Sequence, residues 1–256
     1  MLRVLRAPWK PRAKAERLAL AEPAFRDMPA RPERIEGPAE TWDRFGYGEI
    51  ERTLRHLCTQ IGWTQVPEGP GHVLSVSSAV PREGKTSVSV ALGTVMARDH
   101  SCDVLVIECD LWQPRLRTDL GLGSVAGLSR LLEWNDELEF GLHQSAIPNL
   151  WILPGGSVPD QPSRLLRSQR MQRLIDEARE RFPFVILDLP AVLYSSDAAV
   201  LAQLSEGTLF VVRTGNTDVR AVEQAMGLLQ GANVYGVLLN RVRPALPDLV
   251  RRLMQA

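Results

Sequence analysis

The chain is poor in the residues that announce many other functions. It has three cysteines, Cys58, Cys102 and Cys109, and no Cys-x-x-Cys spacing. That excludes a disulfide framework or a zinc ribbon, and the thiols are expected to be buried in a reducing compartment. The four histidines are scattered, and none pairs with a cysteine at metal-ligand spacing. Net charge is lacking too: 30 Lys and Arg balance 30 Asp and Glu, which argues against a bulk nucleic-acid binder. No apolar run approaches the roughly 18 to 20 residues of a membrane span. The basic N-terminus is not followed by an uninterrupted apolar stretch, so it does not read as a secretory signal. A cytoplasmic location is expected, with any membrane association supplied by a partner or by the basic arm.

What is present is an ordinary globular composition, 45% hydrophobic over 256 residues, enough for one large α/β domain. Residues 1–40 stand apart. Six of the 18 prolines fall there, and within residues 1–17 Arg3, Arg6, Lys10, Arg12, Lys14 and Arg17 face only Glu16. Proline at this density blocks helices and sheets alike, so the segment reads as an extended or disordered arm ahead of a domain at 41–256. Within that domain, residues 47–62 show helical spacing, with Ile50, Leu54, Leu57, Cys58 and Ile61 on one stripe. From Val73 onward short apolar runs alternate with amphipathic segments. Strands are expected at 73–77, 103–108, 151–153, 183–188, 208–213 and 234–239. Helices are expected at 84–98, 126–133, 163–181, 196–203 and 218–230. Such alternation implies a doubly wound, mostly parallel sheet with helices on both faces, which binds ligands at the carboxyl ends of its strands.

The chemistry concentrates at those ends. Residues 79–86 read Ala-Val-Pro-Arg-Glu-Gly-Lys-Thr, between an apolar strand and a helix. Strand, loop, Gly-Lys-Thr, helix is the context of a P-loop, although Ala79 stands where the first glycine is usual. The backbone N–H groups and the helix start offer a pocket for phosphate oxygens, Gly84 allows close approach, Lys85 reaches the β- and γ-phosphates, and the Thr86 hydroxyl ligates Mg²⁺. Pro81, Arg82, Glu83 and Ser87 complete the candidate ATP-binding loop. Two further strands end in carboxylates: Val104 to Ile107 runs into Glu108-Cys109-Asp110, and Val185 to Leu187 into Asp188. Strand alternation is expected to aim Glu108 and Asp110 the same way. Acidic residues beside a phosphate loop organise Mg²⁺ or water. Taken singly, each also fits a helix cap or a loop surface charge.

On these residues the chain resembles the bacterial tyrosine kinases of capsule and exopolysaccharide production, within the MinD/ParA-like P-loop group. The matching segments are SSAVPREGKTS (77–87), VLVIECDLWQP (104–114), NLWILPGGSVPDQPSRLL (149–166), FVILDLPAVLYSSDAAVLA (184–202) and YGVLLNRV (235–242). The resemblance implies that Lys85 and Thr86 hold Mg·ATP and that Asp110 and Asp188 organise the metal. It places Glu108 as the base for a tyrosine hydroxyl and Asn240 against adenine, a position an ordinary loop asparagine also fits. Glu49, Arg52 and Arg55 resemble an E-x-x-R-x-x-R interface motif, which implies a homo-oligomeric ring; solvated helix charges are the alternative. A transmembrane co-polymerase is the implied partner, at the inner membrane, with no nucleic acid involved. Val80 stands where partitioning ATPases carry a second lysine, which favours the kinase branch.

The departures are Glu108 for the usual Asp, Trp112 and Gln113 where Arg is usual, and Arg82 where Gly is common. The tail after Val242 has no tyrosine; the three tyrosines are Tyr47, Tyr194 and Tyr235. These departures keep open a second expectation, a nucleotide-dependent scaffold of the export machinery with little kinase activity.

Overall fold

The computed structural model describes residues 3–6, 49–122 and 125–242. Tyr47, most of the N-terminal arm and the tail after Val242 lie outside the described residues. The first helix among the described residues, α1 (Glu49–Ile61), puts its predicted stripe to use: Leu54, Leu57 and Cys58 are buried, and Ile50 and Ile61 pack at the margin. Then come β2 (His72–Ser78), α2 (Lys85–His100), β3 (Val104–Glu108), β5 (Leu150–Leu153), β6 (Phe184–Asp188), β7 (Gly207–Arg213) and β8 (Val234–Asn240). They run parallel in the order β8-β7-β2-β6-β3-β5.

Both faces of the sheet are covered, which explains its continuous apolar strands. Alternation divides each strand between two cores. Val104, Val106, Phe184 and Ile186 face α1 and α2, with Leu54, Leu92 and Met96. Leu105, Ile107, Val185 and Leu187 face the other side. There they meet α4 (Leu128–Trp134), α6 (Gln169–Arg181) and α7 (Asp197–Ala202) through Leu131, Leu174 and Leu201. Gly93 lies where α2 crosses this sheet most closely. A Cβ there would come within 2.8 Å of Val106 and 2.9 Å of Leu150. The contact outweighs the roughly 1 kcal/mol helix cost of glycine.

Five features depart from the sequence expectations. Residues 3–6 form β1 (Arg3–Arg6), antiparallel to β8, where only an arm is expected. This pairing covers the edge that β8 would otherwise leave open. At the opposite edge the two-residue β4 (His143–Gln144) pairs antiparallel with β5. A short helix, α3 (Leu116–Asp119), and a 3₁₀ turn at Leu138–Gly141 are too brief to show a period. The helix expected over 163–181 is two, α5 (Pro162–Leu166) and α6. Ser168 breaks it: its backbone is extended, and its hydroxyl accepts the Met171 N–H at 3.2 Å as the N-cap of α6. The last helix among the described residues, α8 (Val219–Leu228), is capped the same way by Asp218.

Candidate functional site

The P-loop leaves β2 and enters α2 at Lys85. Gly84 takes φ +97°, and a Cβ there would lie 2.2 Å from the Asn240 amide, so only glycine fits. Arg82 also has positive φ, 68°, without being glycine, a conformation that costs about 1–2 kcal/mol. The loop is held open by buried groups. Glu83 is 1% exposed, and its carboxylate accepts the N–H of Val80, the N–H of Arg213 and the Thr217 hydroxyl. The Asn240 amide donates to the Glu83 carbonyl at 2.8 Å. Through these bonds both residues brace the loop.

In front of the loop is a cavity of about 390 Å³. Pro81, Arg82, Gly84, Lys85, Thr86 and Ser87 line one side, and Asp110, Gln113, Arg115 and Asp119 another. Arg213 and Arg241 complete it, giving five cations against two carboxylates. That balance suits a polyanion. Arg115, Arg213 and Arg241 were not anticipated. Arg213 sits at a strand tip, as the identified carboxylates do, but the position of Arg115 depends on a turn with no sequence signal.

The charged centre lies where β2, β6 and β3 end. The Lys85 amine donates to Asp110 Oδ2 at 3.1 Å, and Asp110 Oδ1 accepts the Gln113 N–H. Burial pulls the Lys85 ammonium down, but Asp188 and Asp110 outweigh it, so its pKa is raised and the charge is kept. Asp188 is fully buried. Its Oδ1 accepts the Ser89 hydroxyl at 3.1 Å, while Oδ2 has no hydrogen-bond partner. Burial raises its pKa, against the opposing effects of Lys85, Thr86 and Ser89. A buried carboxylate oxygen without a donor is short of positive charge.

Glu108 is different. Strand β3 ends at it, so alternation does not carry on to Asp110, and the two carboxylates meet different partners. Oε1 accepts the N–H groups of Arg115 and Leu116, and Oε2 accepts the Gly155 N–H at 2.7 Å. Burial pushes its pKa up to about 7, although the three backbone donors work against that. Both oxygens are committed to backbone.

A metal fits the donor set. Asp188 Oδ2 offers an uncommitted lone pair beside Thr86. Among the described residues no cluster of three His, Cys, Asp or Glu can hold a metal by itself. A cation here takes its other ligands from phosphate and water, as Mg²⁺ does. On α1 the interface candidates are partly engaged within the chain. Arg55 grips Asp99 at 2.7–3.0 Å and reaches Glu51 at 3.4 Å, while Arg52 is exposed.

A parallel doubly wound sheet, a glycine-lysine-threonine loop and acidic strand tips define a P-loop NTPase, with the nucleotide and Mg²⁺ chemistry of that class. No family model matches the chain. It is 31% identical over 202 residues to the tyrosine-protein kinase CpsD of Streptococcus pneumoniae, covering 76% of this chain and 85% of CpsD. It is 33% identical over 191 residues to the tyrosine-protein kinase Etk of Escherichia coli, covering 74% of this chain and 26% of Etk. The chain therefore spans about a quarter of the length of Etk. The solved kinase domain of Etk superposes with a TM-score of 0.72 at 29% identity, covering 86% of each chain. The chain belongs to the bacterial tyrosine-kinase family. MinD of Pyrococcus furiosus, with a TM-score of 0.59 and 22% identity, shares the fold alone.

Proposed function

We propose that the protein binds Mg·ATP at the P-loop and transfers its terminal phosphoryl group to a tyrosine hydroxyl. It does so in the control of capsule or exopolysaccharide biosynthesis and export. The observation that carries this reading is the meeting of Lys85, Asp110 and the half-bonded Asp188 in front of the Gly84-Lys85-Thr86 loop. Sequence kinship to tyrosine-protein kinases, CpsD among them, supports the choice of acceptor.

The chain's own groups divide the work. Lys85, kept charged, moves from Asp110 to the phosphates and holds them in place. The N–H groups at Gly84 to Ser87 cradle the phosphate oxygens, with Pro81 and Arg82 forming the lip. Thr86, Asp110 and Asp188 form the metal side, and Glu83 and Asn240 keep the loop in shape. Bound Mg²⁺ would supply electrostatic relief for the charge on the transferring group. Phosphoryl transfer needs little more than positioning and charge stabilisation, so no strong base is required.

Through Glu49, Arg52 and Arg55 the domain assembles into a ring, and it docks on a transmembrane polysaccharide co-polymerase at the inner membrane. Among the described residues no helix is long and apolar enough to cross a membrane. For Arg55 to serve an interface, it must exchange or share Asp99 with a neighbouring copy.

The test is to incubate the purified protein with labelled Mg·ATP, alone and with a co-polymerase cytoplasmic segment, and to probe for phosphotyrosine. The signal should vanish in Lys85→Met. Labelling that survives that substitution would overturn the reading, as would ATP binding without labelling under any condition. The latter result would leave a nucleotide-dependent scaffold.

A further inference from the structure

We propose that Arg115 is the cation that contacts the terminal phosphate of the bound nucleotide, and that Glu108 is its positioning residue rather than a proton acceptor. The inference rests on the nucleotide reading and deepens it.

Three observations carry it. First, Arg115 lines the cavity on the same side as Asp110. The Lys85 amine points at Asp110, 3.1 Å away. A P-loop lysine grips the β- and γ-phosphates, so the far end of the phosphate chain lies on that side. Arg213 and Arg241 enter from β7 and β8, across β2 from β3. Second, the Arg115 guanidinium is exposed and has no ion-pair partner among the described residues. A free planar fork of donors beside a phosphate loop is suited to bidentate oxyanion contact. Third, the backbone of Arg115 is fixed. Its N–H and that of Leu116 both donate to one oxygen of Glu108, and the other oxygen takes Gly155 at the end of β5. Glu108 is 1% exposed, so these bonds form away from water and hold the turn 109–115 in one shape.

The two unusual residues are thereby linked. The extra methylene of glutamate over aspartate lets the carboxylate at 108 reach across to three backbone donors. Trp112 stands where the resemblance expects arginine. Its indole N–H turns instead to Asp197 at 3.2 Å, which leaves the cavity wall to a cation three residues on.

Calorimetric titration of Mg·ATP and Mg·ADP into the wild type, Arg115→Ala and Glu108→Asp decides it. Arg115→Ala should weaken ATP about 10-fold or more and leave ADP within about 2-fold, since only the triphosphate reaches that far. Glu108→Asp, which shortens the anchor, should give the same ATP-selective loss to a smaller extent. Equal weakening of both nucleotides, or of neither, by Arg115→Ala would overturn the proposal. So would a Glu108→Gln variant that keeps the wild-type ATP/ADP ratio but loses the acidic limb of the pH–rate profile, the signature of a proton acceptor. A wild type that binds neither nucleotide would overturn the nucleotide reading itself, a result distinct from any variant effect.

Discussion

Glu108 and Asp188 are register partners on adjoining parallel strands, each the last residue of its strand and each almost wholly buried. Their surroundings are opposite. Glu108 receives three backbone N–H groups, whereas Asp188 accepts the Ser89 hydroxyl on one oxygen and has no hydrogen-bond partner on the other. A carboxylate saturated by backbone serves as a structural clamp; one left half-bonded beside a lysine and a threonine is suited to a cation. Equal position at a strand tip therefore does not mean equal role. What separates them is the turn that follows. After β3 the chain folds back so that α3 presents its first N–H groups to Glu108. After β6 it continues Leu189-Pro190, and proline has no N–H to give.

The largest expected break in this pair is at Asp188. Asp188→Asn removes the charge that would hold Mg²⁺ and should lower any Mg·ATP-dependent phosphoryl transfer by about 100-fold or more. The melting temperature should stay level or rise, because the amide carries no burial penalty for charge. A fall in melting temperature of several degrees would mean Asp188 is a clamp like its neighbour.

Glu108→Ala should do the reverse, costing about 3 kcal/mol of stability in denaturant unfolding by stripping the acceptor from buried N–H groups. The pH dependence sharpens the point. The folded Glu108 pKa, about 7, lies above its ordinary value of 4.5, so the folded state binds more protons between the two. Its stabilising contribution is fully present below about pH 4.5 and is lost as pH rises through about 7. The full span is about 3 kcal/mol. Chemical unfolding of the wild type from pH 5 to 8 should show this slope, and Glu108→Gln should flatten it. Equal slopes in the two proteins would refute the assignment.

The smallest effect is expected at Ser89, whose hydroxyl bonds both Asp188 and the Lys85 carbonyl. Ser89→Ala should cost about 1 kcal/mol, and Mg²⁺ should restore more of that loss than of the loss in Glu108→Ala. Thermal unfolding with and without Mg·ATP measures both.

Much of this was legible in the residues alone. The six parallel strands, the two-face burial and the P-loop follow from apolar runs, period-2 alternation and a Gly-Lys-Thr at a helix start, all local signals. The break at Ser168 was also written locally, in a serine three residues before Met171, but it was masked by an unbroken helical period. Glu83 and Asn240 were recognised as members of the site, but the hydrogen bond between them was not. They meet across 157 residues of sequence, and only the sheet brings them together.

The sequence by itself determined the fold, the family and the P-loop, because hydrophobic period and loop chemistry are properties of neighbours along the chain. Only the tertiary structure decided which carboxylate is free and which is spent. That depends on where backbone donors from α3 and the β5 loop come to lie, and no residue carries its partners with it in the sequence.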